Sequence, residues 1–210
     1  GAAIPGDFAS DVAVTEALQK AQIVYGLGFD LQNHRGFDFL MNLAQSANAN
    51  RKLFALNLAA EFIVEFYTEN LLAAIEYANI VIGNEQEMRK YGKIIMKSDT
   101  LKLNDVALHI AAQPKRDNGR PRIVFITQGS GDTLMAYDGL LASFPVPHIP
   151  AEELKDTIGA GDAFVGGLLK SLIEGRSLAD SVNAGHYCAG IIIRQIGCTV
   201  EGTADFTYSQ

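Results

Sequence analysis

Cysteine is scarce in this chain of 210 residues: only Cys188 and Cys198 occur. They are too few for a zinc site or a disulfide framework and too far apart for a C-x-x-C pair, so they read as buried free thiols suited to a reducing cytosol. Clusters of lysine and arginine are missing as well. With 17 basic against 24 acidic residues the net charge is -7, which argues against a nucleic-acid or anionic-membrane surface. Any phosphate site must therefore be local. No apolar run approaches membrane-spanning length, and Gly1-Ala2-Ala3-Ile4-Pro5 lacks a basic segment followed by a long apolar one. Neither insertion nor secretion is expected, and the expected location is cytoplasmic. Internal repeats and low-complexity segments are also absent.

What is present is ordinary globular composition, 48% hydrophobic and 20% charged, enough for one domain with a sizeable core. Asp11 to Lys20 reads as a short helix, Gln22 to Gly26 as a buried strand, Gly36 to Ala49 as an amphipathic helix and Leu53 to Asn57 as a second strand. Helices over Glu69 to Tyr77, Glu85 to Tyr91 and Leu103 to Ala112 alternate with strands over Asn79 to Ile82 and Ile123 to Thr127. Such alternation predicts an α/β fold with a mostly parallel sheet and helices on both faces. Gln113 to Pro121 reads as a solvated loop. Thr133 to Ala136 and Leu140 to Phe144, joined by Tyr137-Asp138-Gly139, form a small antiparallel hairpin. Two helices, residues 162–173 and 177–194, complete the core.

The chemistry centres on Asp156-Thr157-Ile158-Gly159-Ala160-Gly161-Asp162. Small residues at 159 to 161 let a ligand approach the backbone, and the apolar spacing of Phe164, Val165, Leu168, Leu169 and Leu172 predicts a helix whose N-terminus is buried. Free N–H groups there favour a phosphate or a developing oxyanion. Asp162 would repel that phosphate, which points to a proton acceptor for a substrate hydroxyl. A simple N-cap aspartate after a glycine turn would look the same. Elsewhere, Asn84 and Glu87 have the spacing of a capping box. Thr127-Gln128-Gly129-Ser130-Gly131-Asp132 leaves a strand through a glycine-rich turn able to meet a polyphosphate. His186 and Phe62 have the surroundings of core residues.

Asp156-Thr157-x-Gly159-Ala160-Gly161-Asp162-Ala163-Phe164 resembles the signature of the ribokinase-like carbohydrate and nucleoside kinases. Within that family the match is closest to the adenosine kinases. It is carried by Leu56-Asn57-Leu58-Ala59-Ala60-Glu61-Phe62, Gly83-Asn84-Glu85-Gln86-Glu87, Phe125-Ile126-Thr127-Gln128-Gly129, and Ala184-Gly185-His186-Tyr187 with Ile191 to Thr199. These stretches are collinear over most of the chain.

The resemblance implies a ribokinase-like three-layer sandwich and an ATP-dependent phosphorylation of adenosine at its 5'-hydroxyl to give AMP, a step of purine salvage. Asp162 would be the general base and Gly159, Ala160 and Gly161 the anion hole. Thr127, Gly129, Asn84 and His186 would serve ATP, with His186 beside its base. Phe62 would stack on the nucleoside, with Ile158 near the acceptor. Glu87 would organise Mg2+ through water, and Asp156 with Gly197-Cys198-Thr199 would hold a monovalent cation. A monomer whose partners are adenosine and ATP, with no nucleic acid or membrane, is the expectation. Two departures stand out. Ile158 replaces the asparagine usual in adenosine kinases, and the chain starts where the family is already about one third complete, which implies either a piece of a longer enzyme, lacking here its early strands and lid, or a shortened protein whose acceptor site is incomplete. A kinase for another nucleoside or a sugar, or a silent ATP-binding module, are the alternatives.

Overall fold

The computed structural model describes residues 12–116, 119–198 and 206–207. In chain order the elements are α1 (Val12–Lys20), β1 (Ile23–Leu27), a 3-10 turn (Gly28–Gln32), α2 (His34–Ala49), β2 (Leu53–Asn57), α3 (Glu61–Phe66), α4 (Thr68–Ile75), β3 (Ile80–Asn84) and α5 (Glu85–Ile94). They continue with α6 (Leu103–Ala112), β4 (Ile123–Gln128), β5 (Gly131–Tyr137), β6 (Leu140–Phe144), a 3-10 turn (Ala151–Glu153), α7 (Ala160–Ile173) and α8 (Leu178–Ile192). The strands form one sheet in the order β1-β2-β3-β4-β5-β6. The first three run parallel, with Leu27 beside Asn57 and Asn57 beside Ile82 at their ends. Antiparallel turns follow, so the sheet is mixed. The β5–β6 turn has Asp138 at φ 50° and Gly139 at φ 74°, the left-handed pair that a two-residue hairpin requires.

Three short elements escape the hydrophobic pattern: the 3-10 turns Gly28–Gln32 and Ala151–Glu153, and α3. Six residues are too few for a helical period to register, and the N-cap of α3, Ala60, brings no capping side chain. Asp11 of the first expected helix lies outside the described residues, as do Asp117 and Asn118 of the loop.

By contacts the chain divides into two compact units, one reaching to Ile126 and including Leu134–Ala142, the other holding Thr127–Thr133 and the chain from Ser143 onward. The first has a continuous core in which Leu40, Phe54, Leu56, Leu71, Val81 and Ile110 are buried, each such side chain contributing about 1.5 to 3 kcal/mol. Its most unusual core member is Arg122. The guanidinium is buried and donates to the carbonyls of Ala78 (3.0 Å), Ile110 (2.6 Å), Gln113 (2.9 Å), Ile75 (2.7 Å) and Pro114 (3.0 Å). One side chain thus ties the C-terminal ends of α4 and α6, through the carbonyls of Ile75 and Ile110, to the chain that follows each helix.

The second unit is built on α7 against α8. A methyl group at Gly167 would stand 2.4 Å from the Ala184 carbonyl oxygen, and one at Gly185 would stand 2.6 Å from the Phe164 ring. Only glycines at these two positions let the helices close on Phe164, Val165, Leu168 and Val182, all buried. Among the described residues no helix is long and apolar enough to cross a membrane.

Candidate active site

The loop before α7 turns on Gly159, which caps the helix at φ 79° without any side-chain hydrogen bond. Asp162 is therefore not the N-cap. It stands at the third helical position, exposed, with nothing capped by its carboxylate. The expectation of a buried helix start does not hold: Gly161 and Asp162 are exposed and Ile158 is 71% exposed, because the apolar face of α7 begins only at Phe164. The Ala160 N–H is already donated to the Thr157 carbonyl at 3.2 Å. The donors left to face an anion are those of Gly161 and Asp162, at the positive end of the helix dipole. Nothing lies within 4 Å of a methyl group built at Gly161, so the backbone there is open to a ligand.

Asp156 folds this loop locally, its Oδ1 accepting the Ile158 N–H at 2.9 Å. Cys198 closes the loop from the other side. Its thiol reaches toward the Ile158 carbonyl at 3.7 Å, and a methyl group at Gly159 would meet the sulfur at 2.4 Å. Cys188 is half-buried and Cys198 exposed, so neither is the fully buried thiol expected, and Cys198 lies in the turn after Gly197. Thr199 lies outside the described residues.

Thr127 and Gly129 belong to the same unit as Asp162. The turn between β4 and β5 is shorter than the sequence reading, with only Gly129 and Ser130 outside the strands and Asp132 within β5. Gly129 has φ 61° and open space where a side chain would be. His186 is in this unit too, 7% exposed. Its Nε2 is 2.8 Å from the Thr133 hydroxyl, and its Nδ1 is buried without a partner. Burial pulls its pKa below the ordinary histidine value, against the opposing effect of Asp132. With both nitrogens enclosed, the ring packs tilted on Phe164 at 5.6 Å.

Phe62, Asn84 and Glu87 lie in the other unit. Glu87 is 4% exposed. It accepts from the Asn84 N–H at 2.9 Å and from Asn84 Nδ2 at 2.8 Å, while its own N–H donates to Asn84 Oδ1 at 2.9 Å. The capping box is thus real. Burial raises the Glu87 carboxyl above its usual range, the Asn84 N–H opposes this, and the Glu61 carboxylate adds a smaller upward push. Each Glu87 oxygen holds one hydrogen bond and keeps lone pairs to spare. Among the described residues no cluster of three His, Cys, Asp or Glu side chains could grip a metal. A lone carboxylate with free lone pairs is compatible with a Mg2+ ion whose other ligands would come from phosphates and water.

Phe62, 39% exposed, lies in the first turn of α3 and does not enter the core; its ring lies 6.1 Å from that of Phe29 at 39°. Phe29 is itself 45% exposed. It was not singled out from the sequence, although a Gly-Phe step just past a parallel strand lies where α/β folds place ligands. Two exposed phenyl rings side by side make a surface that a flat base can cover.

A family model described as pfkB family carbohydrate kinase matches residues 5–203. The chain belongs to the pfkB family. It is 35% identical to adenosine kinase 2 of Arabidopsis thaliana over 189 residues, 90% of this chain and 54% of that one. With adenosine kinase of Schizophyllum commune the identity is 37% over 191 residues, 90% of this chain and 55% of that one. The chain spans about half the length of the curated relatives it matches. Its fold superposes on that of Anopheles gambiae adenosine kinase in complex with P1,P4-di(adenosine-5) tetraphosphate with a TM-score of 0.89 and 36% identity, over 97% of this chain and 59% of that one. The pfkB chain described here thus has the ribokinase-like α/β fold of the adenosine kinases.

Proposed function

We propose that this pfkB chain carries chemistry of an adenosine kinase, the transfer of the γ-phosphoryl group of ATP to the 5'-hydroxyl of adenosine, giving AMP and ADP. The observation that carries this reading is Asp162: a free, exposed carboxylate at the third position of α7, beside N–H groups of Gly161 and Asp162 that no side chain caps. Asp162 takes the proton of the 5'-hydroxyl as the oxygen attacks phosphorus and the bond to the β-phosphate oxygen breaks. The two N–H groups offset the negative charge on the phosphoryl oxygens. Thr127 and the open backbone at Gly129 receive ATP phosphates, and it is the family resemblance that assigns His186 to the ATP base.

Mg2+, when bound, neutralises the phosphate charge. Glu87 would hold the ion through its hydration shell, and the ion's charge would offset the cost of keeping this buried carboxylate ionised. Asp156 is the protein side chain for a monovalent cation near the loop. Phe62 and Phe29 receive the base, which favours a nucleoside over a free sugar. The protein acts as a monomer.

Competition assays with γ-labelled ATP test this reading. Adenosine is expected to become labelled, while ribose and fructose 6-phosphate, which offer no base to the phenyl pair, remain unlabelled. Equal labelling of ribose and adenosine contradicts it.

A further inference from the structure

Asn57, the last residue of β2, joins two strands and a turn through one amide. Its Nδ2 donates to the Tyr25 hydroxyl on β1 at 3.1 Å, and its Oδ1 accepts the Ala59 N–H at 3.1 Å. Ala59 has φ 70°, in the left-handed region that L side chains rarely adopt. Around it the Ala60 N–H returns to the Leu58 carbonyl at 2.9 Å, closing a three-residue turn, while the Leu58 N–H is tied to Ile82 of β3 at 2.9 Å. A turn of this hand is rare and strained, and strained backbone persists only where its surroundings over-determine it.

Both exposed phenyl rings depend on this turn. It delivers the chain to Ala60, the N-cap of α3, which brings no capping side chain to fix the helix's entry, and Phe62 follows two residues later. The 3-10 turn that carries Phe29 rests on the same backbone, because a methyl group at Gly28 would stand 2.3 Å from the Leu58 carbonyl oxygen. We infer that Asn57 is a positioning residue for the base-binding aromatics: by holding Ala59 left-handed it sets the place of Phe62 against Phe29. Without the amide, Ala59 relaxes to negative φ and α3 turns away from the 3-10 turn. The inference rests on the proposed function for its purpose, since it is the nucleoside base that would cover the two rings.

The test compares Asn57→Ala, Asn57→Asp, Asn57→Ala combined with Ala59→Gly, and Phe62→Ala. Two readouts are taken: NOEs between the Phe29 and Phe62 ring protons in the free protein, and calorimetric titration with adenosine and with ATP. Asn57→Ala is expected to lose the ring NOEs and to weaken adenosine about tenfold or more, the scale on which small misplacements act, while ATP affinity holds. Asn57→Asp keeps an acceptor for the Ala59 N–H and so keeps the NOEs. Ala59→Gly, free to adopt positive φ, restores NOEs and adenosine affinity in the Asn57→Ala background.

Retained NOEs in Asn57→Ala, or no recovery on adding Ala59→Gly, overturn the inference. If Asn57→Ala alone does not fold, the double variant decides, recovery of the folded state with ring NOEs upholding the role and its absence refuting it. If adenosine does not bind, or Phe62→Ala leaves its affinity unchanged, the nucleoside reading fails separately while the NOEs still judge Asn57.

Discussion

Asn84 and Glu87 satisfy one another across the first turn of α5, each offering its backbone N–H to the other's side chain at 2.9 Å. The arrangement keeps a carboxylate buried, and burial raises its pKa above the ordinary 4.5. The folded state therefore binds this proton more tightly than the unfolded one. The stability it contributes is complete below 4.5 and lost as pH rises through the folded value. Glu87→Gln cannot titrate. The stability of the wild type minus that of Glu87→Gln, from urea midpoints, is expected to fall between pH 4.5 and neutrality; a difference that grows with pH would contradict the assignment. Added Mg2+ with nucleotide should reduce this pH dependence.

Arg122 is the side chain on which the ends of α4 and α6 both depend. Burial pulls its pKa down to about 10, yet it stays charged at neutral pH and each carbonyl bond is charge-assisted. Lysine has one nitrogen and at most three donors where arginine presents a fork. Arg122→Lys is expected to cost about 3 kcal/mol of stability, from two or more lost bonds to buried carbonyls. Thermal unfolding measures it, and a loss under about 1 kcal/mol would show that the carbonyls find other partners.

Gly159 is confined in two ways, by φ 79° and by the Cys198 sulfur 2.4 Å from where a methyl group would sit. Gly159→Ala is expected to destabilise by about 1 to 2 kcal/mol from the backbone alone, with the clash adding to this. Cys198→Ala in the same chain should recover the clash and leave the backbone cost. Full recovery in the double variant would show that the left-handed conformation is not required.

The alternation of strands and helices was plain in the sequence because the elements are long enough for their periods to register, and β2, α6 and β6 fall at the expected bounds. The capping box of Asn84 and Glu87 was equally plain, being a local pattern that needs no tertiary information. What was not readable depends on close approach of segments distant in sequence. Phe29 meets Phe62 only because Gly28 admits the Leu58 carbonyl, Arg122 finds carbonyls at Ile75 and Ala78 from across the chain, and Cys198 folds over Gly159. The exposed start of α7 differs from expectation for a related reason: an apolar run after a loop shows that a helix is packed, not which of its turns is covered.

The central claim concerns Asp162, and its most direct test is the single-turnover rate of Asp162→Asn with adenosine and ATP in the complete enzyme, alongside ATP affinity and melting. A positioned base contributes roughly 10²- to 10⁴-fold, whereas a carboxylate in a first helical turn contributes about 0.3 to 1 kcal/mol of stability through the dipole. The account predicts a rate lowered by roughly 10²- to 10⁴-fold, ATP affinity held or slightly raised because a repelling charge is gone, and melting changed by no more than that dipole contribution. A rate near that of the wild type in folded, ATP-binding Asp162→Asn protein would contradict it.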